Sequence, residues 1–203
     1  MIATYDDLKN AIAFYLDRAD EETSGMVPVF IGLFEAKFNR TGQFSEMDAK
    51  LTQTPDAEGR VPLPTDMAQM RSVRAETTPK TYLRSVTPDY ADSVYIYPGA
   101  LPRHYYVKDG YVNVVPLTAS DITISYYAKL PPLSATQATN WLLSAHPDVY
   151  LYGSLAEAFV AGRNDSEAAK YGALYKAAFD QLDASDMGTR WNAPAMMISG
   201  AAP

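Results

Sequence analysis

The stretch Asn140-Trp141-Leu142-Leu143-Ser144-Ala145-His146-Pro147-Asp148-Val149-Tyr150-Leu151-Tyr152-Gly153-Ser154-Leu155-Ala156-Glu157-Ala158 decides how this chain folds. An apolar approach leads to Pro147, whose ring presets the backbone of a first helical residue, where its missing N–H is not needed. From there Leu151, Leu155 and Phe159 recur every four residues, which puts them on one helix face. His146, just before the helix start, reads as a capping or packing residue. Gly153-Ser154-Leu155 lacks the Gly-x-Ser-x-Gly frame of a nucleophile elbow. The segment reads as a packing element.

Helical patterns that can pack against it lie on both sides. Downstream, Gly162-Arg163-Asn164 breaks the helix, and Asn164 can cap another, with Glu167 three residues on. Tyr171, Leu174, Tyr175, Ala178, Phe179 and Leu182 give that helix its stripe, and Met187-Gly188 ends it. The remaining 189–203 holds one charge, Arg190, together with Trp191, Met196, Met197 and Ile198. At the other end of the chain, Thr4 can cap a first helix, with Asp7 placed to reach back. Leu8, Ile12, Tyr15 and Leu16 form its apolar stripe. The run Asp20–Gly25 reads as a polar loop, followed by a helix with Pro28 in its first turn. Val27, Ile31, Phe34 and Phe38 form a stripe that Phe30 and Leu33 widen beyond one face. Such a helix needs cover on several sides, by burial inside the domain first and by a subunit interface next.

Between these helical zones the pattern turns to β. Candidate strands are Ala49–Thr54, Arg60–Leu63, Arg71–Glu76, Thr81–Ser85, His104–Lys108, Tyr111–Val115 and Ile122–Tyr127. Asp109-Gly110 suits a type I′ hairpin turn, because Gly accepts positive φ and Asp tolerates it. Ile122-Thr123-Ile124-Ser125-Tyr126 alternates with period two, and residues 87–91 suggest a short helical turn. Pro62, Pro64, Pro98, Pro102, Pro116, Pro131 and Pro132 keep the strands short. The expected fold class is α+β: an antiparallel helical bundle from N- and C-terminal helices, with an inserted antiparallel β module. Its parts are a first helical part (1–44), the insertion (45–137), a second helical part (138–188) and an extended tail (189–203).

Composition removes several function classes. A net charge of −7 and a pI near 4.8 disfavour tight nucleic-acid binding, which needs a basic face. With no cysteine there are no disulfides or thiolate metal sites. No apolar run approaches the ~20 residues of a membrane span. Fifteen Tyr against seven Phe suggest strands, surfaces buried between subunits, or both. His104 and His146 show no metal-ligand spacing, and no phosphate-binding glycine loop occurs, so no metal, cofactor or catalytic residue is assigned. Arg60, Arg71, Arg74, Arg84 and Arg103 lie in or beside the β zone and read as a solvated face before a surface for an acidic partner.

The order of several segments resembles the adaptor, or head–tail connector, proteins of tailed bacteriophages. These are Tyr5-Asp6-Asp7-Leu8 with Leu16-Asp17-Arg18, then Phe30-Ile31-Gly32-Leu33-Phe34-Glu35, and Leu63-Pro64-Thr65-Asp66 with Arg71-Ser72-Val73. Ile124-Ser125-Tyr126-Tyr127 with Leu130-Pro131-Pro132-Leu133-Ser134 comes next, and then the Asn140–Ala158 stretch itself. The resemblance implies a structural virion protein at the head–tail interface, made in the bacterial host cytoplasm and acting as no enzyme. It implies a homo-oligomeric ring of 12 copies under the portal protein. The ring would extend the DNA channel, let double-stranded DNA pass and offer a platform to a tail or stopper protein. Residues 189–203, with Trp191, Met196, Met197 and Ile198, would reach into the portal. The helical body would be held by Leu8, Ile12, Phe34, Phe38, Leu151, Leu155, Phe159, Tyr171, Leu174 and Leu182. Two alternatives stay open: a tail-completion or tail-tubular ring component, and a carbohydrate-binding or hydrolytic β module.

Overall fold

A computed structural model describes residues 2–17, 21–93 and 100–191. The chain divides into two compact units, 1–46 with 130–203, and 47–129. The fold is α+β.

In the helical unit, α1 (Tyr5–Tyr15) starts at a complete capping box: Thr4 Oγ1 accepts the Asp7 N–H, and the Asp7 carboxylate accepts the Thr4 N–H. Helix α2 (Glu21–Thr41) begins earlier than the polar run suggested, and Pro28 lies inside it rather than in its first turn. An interior proline forfeits one hydrogen bond and crowds the preceding turn. Here Val27, Phe30, Ile31, Phe34 and Phe38 are all buried beside it, and that burial outweighs the loss. The Asn140 region forms its own short helix, α4 (Trp141–Ala145), capped by the Asn140 side chain accepting the Leu143 N–H at 2.9 Å. Helix α5 (Pro147–Ala161) begins at once, and His146 at the break makes no side-chain cap. Helix α6 (Asp165–Trp191) is capped by Asn164, whose Oδ1 accepts the Glu167 N–H at 3.3 Å.

Gly188 does not end α6. The Asp186 carboxylate accepts from Arg190 at 2.7 Å and from the Ser45 N–H at 2.9 Å, and Arg190 donates to the Gln43 carbonyl at 2.6 Å. These bonds hold the last described turn against the chain leaving α2, so the helix runs past a residue that would otherwise favour stopping it.

Residues 130–137, read from the sequence as part of the insertion, belong with the helices. Leu130 and Leu133 are buried, and their N–H groups donate to Asn39 Oδ1 (2.7 Å) and Glu35 Oε1 (2.8 Å), so the Pro131-Pro132 segment straps across α2.

The β unit contains β1 (Asp48–Gln53), β2 (Arg60–Pro62), β3 (Met67–Ala75), β4 (Thr81–Tyr82), β5 (Arg84–Ser85), α3 (Pro88–Ser93), β6 (His104–Lys108), β7 (Tyr111–Val115) and β8 (Ile122–Ala128). The sheet orders are β1-β8-β3-β4 and β2-β7-β6-β5. The Thr81–Ser85 strand proves to be two, because the chain changes sheet at Leu83. The Leu83 N–H donates to Val73 in one sheet, and the Arg84 N–H to Arg103 in the other. The β5–β6 pair is parallel, an exception to the antiparallel module expected, since the chain arrives from the other sheet instead of turning back. Val61, Val73, Leu83, Val112, Val114, Ile122 and Ile124 fill one core between the sheets. The β6–β7 hairpin pairs Lys108 with Tyr111 across Asp109 (φ 51°) and Gly110 (φ 80°), as a type I′ turn requires.

Candidate functional site

The helical core is aromatic. Phe34 lies 4.9 Å from Tyr150, 5.7 Å from Tyr175 and 6.0 Å from Phe38, between ring centroids. It sits so close to α5 that a Cβ on Gly153 would lie 2.2 Å from its ring. Gly153 is therefore where α2 and α5 meet. Of the packing residues named from sequence, Leu8, Ile12, Phe34, Phe38, Leu151, Leu155, Tyr171 and Leu182 are buried. Phe159 is half-buried and stacks on Tyr171 at 5.2 Å. Leu174 departs from the expectation: it sits at the flank of the α6 stripe and is 39% exposed. Tyr15, counted into the α1 stripe, is also exposed. The side chain of Trp191, and all of Met196, Met197 and Ile198, lie outside the described residues.

Two acids are buried in the helical unit, Asp186 and Glu35, and sequence reasoning missed both. Glu35 Oε1 accepts from the Leu133 N–H and from the Tyr150 hydroxyl at 2.9 Å, and Asn140 Nδ2 donates to that hydroxyl at 2.7 Å. Asn140 Nδ2 also donates to the Pro131 carbonyl at 2.8 Å. Burial pushes the Glu35 carboxyl above the ordinary carboxylate range and the Tyr150 phenol above its own. Nothing local in the sequence marks Glu35, because the strap that encloses it lies 98 positions away. The network fixes the strap and α5 to α2. Each of these hydrogen bonds joins one part of the helical unit to another, so the network reads as a clamp rather than a catalytic acid.

The remaining candidates are dispersed. His104 meets the Tyr90 ring at 5.8 Å, and its Nδ1 is buried without a partner among the described residues. His146 is half-buried at the α4–α5 break. Ser154 is fully buried within α5. Three of the arginines are bound to nearby carboxylates: Arg60 to Asp56 and Glu58, Arg71 to Asp48, and Arg74 to Glu76. Arg84 and Arg103 are exposed. Among the described residues no three His, Asp or Glu side chains gather as a metal site, and no helix is long and apolar enough to cross a membrane.

What the helical unit does present is an uncovered apolar face. On α2, Met26, Val29 and Leu33 are 43%, 47% and 49% exposed. Their spacing of three and four residues makes them one stripe, beside the face that buries Phe34 and Phe38. Gly25, Gly32 and Ala36 are exposed around them. The wide apolar surface read from the sequence is thus only partly covered within the unit. The charge is also unevenly divided. The helical unit has fifteen carboxylates against eight Lys and Arg, whereas the β unit has nine of each. Grouped apolar residues of this kind are the sort of surface that suits a contact with another protein.

Comparison with known families agrees with a surface built for assembly. The model of the SU10 adaptor protein family matches residues 3–197. The chain belongs to that family. This adaptor is accordingly a bacteriophage structural protein of the head–tail adaptor type. No curated protein matches it.

Proposed function

We propose that this adaptor forms a closed ring beneath the portal protein, prolongs the DNA channel and offers its other rim to a tail or stopper protein. The uncovered α2 face on a family member of this type carries the proposal. A ring needs two different complementary faces on each subunit, and an apolar stripe is suited to be one of them. The ring would have 12 copies, and its place would be in the virion. The excess of carboxylates in the helical unit supports a channel that lets DNA pass without holding it, because like charges repel.

The residues beyond α6 would dock in the portal. Arg190 takes part in holding the helical unit together, so the segment to remove is 192–203, not 189–203. Its deletion is expected to leave helical content and unfolding unchanged while portal binding falls. Undiminished portal binding by the truncated protein would refute the docking role. The ring role is tested with particles assembled without the protein: DNA-filled heads lacking tails are expected, and normally tailed particles would refute it.

A further inference from the structure

A closed ring requires each subunit to meet the next through two unlike faces. The geometry points to a contact, dependent on the proposed ring, in which the outer face of α2 seats on the outer face of α6 of a second copy, with Arg40 set against Asp180.

Three observations lead there. First, the α2 stripe is apolar and free of acid. From Gly25 to Thr41 the only carboxylate is Glu35, which is buried, and the face ends in Lys37 and in Arg40, which has no partner among the described residues. Second, the face of α6 turned away from its buried Tyr171 and Leu182 carries exposed Ala169, Ala173, Ala177 and Ala184, interrupted by exposed Asp180. Small side chains let two helix axes approach to about 8 Å, and larger residues on the partner fill the groove. The two faces differ, as a ring requires, and they are complementary in both size and charge.

Third, the register agrees. Within one subunit α2 and α6 run parallel, because Phe34 meets Tyr175 and Phe38 meets Phe179 at 5.7 and 6.0 Å. With the ring axis taken to run along these helices, every residue keeps its own height, and α2 of one copy meets α6 of its neighbour with the same direction and nearly the same offset. Setting Arg40 beside Asp180 then places Leu33 beside Ala173 and Val29 beside Ala169, and the apolar residues fall on the alanines without further adjustment. Among the described residues of the single subunit Asp180 is paired with Lys176 alone, an exposed pair at 2.8 Å that yields little on being exchanged.

The chain lacks cysteine, so the contact can be tested by introducing a pair. In purified particles carrying Leu33→Cys with Ala173→Cys, oxidation is expected to give a ladder of covalent oligomers, and neither single variant should. A normal amount of protein in the particles without a ladder would overturn the contact. Dimers from Leu33→Cys alone would do the same, by showing that α2 meets α2. Particles of the parent that lack the protein altogether would overturn the ring reading, and the contact with it. In a second arm, Arg40→Asp is expected to lower incorporation into particles about tenfold, and Asp180→Arg to restore it in the double variant. Circular dichroism of each variant establishes that it folds. A folded double variant that fails to restore incorporation would also overturn the proposal.

Discussion

Replacing Gly153 by alanine tests the packing of the helical unit at its closest point. The added Cβ would stand 2.2 and 2.4 Å from two ring carbons of Phe34, whereas carbon atoms in contact prefer about 3.5–4.0 Å. The ring has nowhere to withdraw, being fully buried among Tyr150, Tyr175 and Phe38. Overpacking of this kind costs roughly 1–3 kcal/mol, and the rigid surroundings put Gly153 at the upper end of that range. Alanine in place of glycine inside a helix returns about 1 kcal/mol, which leaves a net loss of about 2 kcal/mol. Gly172 in α6 is the control, since a Cβ there meets nothing within 4 Å. Gly172→Ala should gain about 0.5–1 kcal/mol from the backbone alone. The assay is urea unfolding monitored by far-ultraviolet circular dichroism, whose helical signal comes chiefly from this unit. The two variants are expected to move the midpoint in opposite directions. A Gly153→Ala protein as stable as the parent would refute the close α2–α5 approach.

The two units should respond to acid in opposite senses. Glu35 has its folded-state pKa raised by burial, so its contribution is full below the usual 4.5 and is lost as pH climbs through the raised value. Glu35→Gln, which keeps the acceptor for Leu133 and Tyr150, should remove that loss and make the helical unit more stable than the parent at neutral pH. An unchanged pH profile of unfolding would contradict this. In the β unit Glu76 accepts from Thr123, Arg74 and Lys80 and is held at about 2. Its contribution is present above 4.5 and disappears as pH falls towards 2, so Glu76→Gln should flatten the acid limb of β-unit melting, read by the amide resonances of β3 and β8. Asn140→Ala removes the α4 cap and two bonds to the strap and Tyr150, and is expected to cost about 2–3 kcal/mol in the same urea assay.

What could be read from the sequence was local. The Thr4–Asp7 box and the Asp109-Gly110 turn each act over a few residues, and each stands where the pattern placed it; the strand at Ile122–Tyr126 also forms, but its burial does not alternate, because Thr123 is buried against Glu76. The misreadings arose where distant contacts override local preference. Pro28 reads as a helix start until Phe34, Phe38 and α5 are seen to hold the helix through it. Gly188 reads as a stop until Asp186 and Arg190 are seen bonded to residues 43–45. Thr81–Ser85 reads as one strand because nothing in five residues announces a change of sheet. Among functional features, the width of the α2 stripe was legible, but which part of it stayed uncovered depended on where α1 and α5 lie. Glu35 was illegible for the same reason, since a glutamate in a helix is ordinarily solvated and only the strap at Leu133 encloses this one.

The central claim, that this adaptor is a ring seated on the portal, is tested most directly by electron microscopy of the purified protein mixed with purified portal. Portal assemblies lengthened by a second ring on the same axis, with the rotational symmetry of the portal, are expected. Portals of unchanged outline, with the protein left as free monomers, would contradict it.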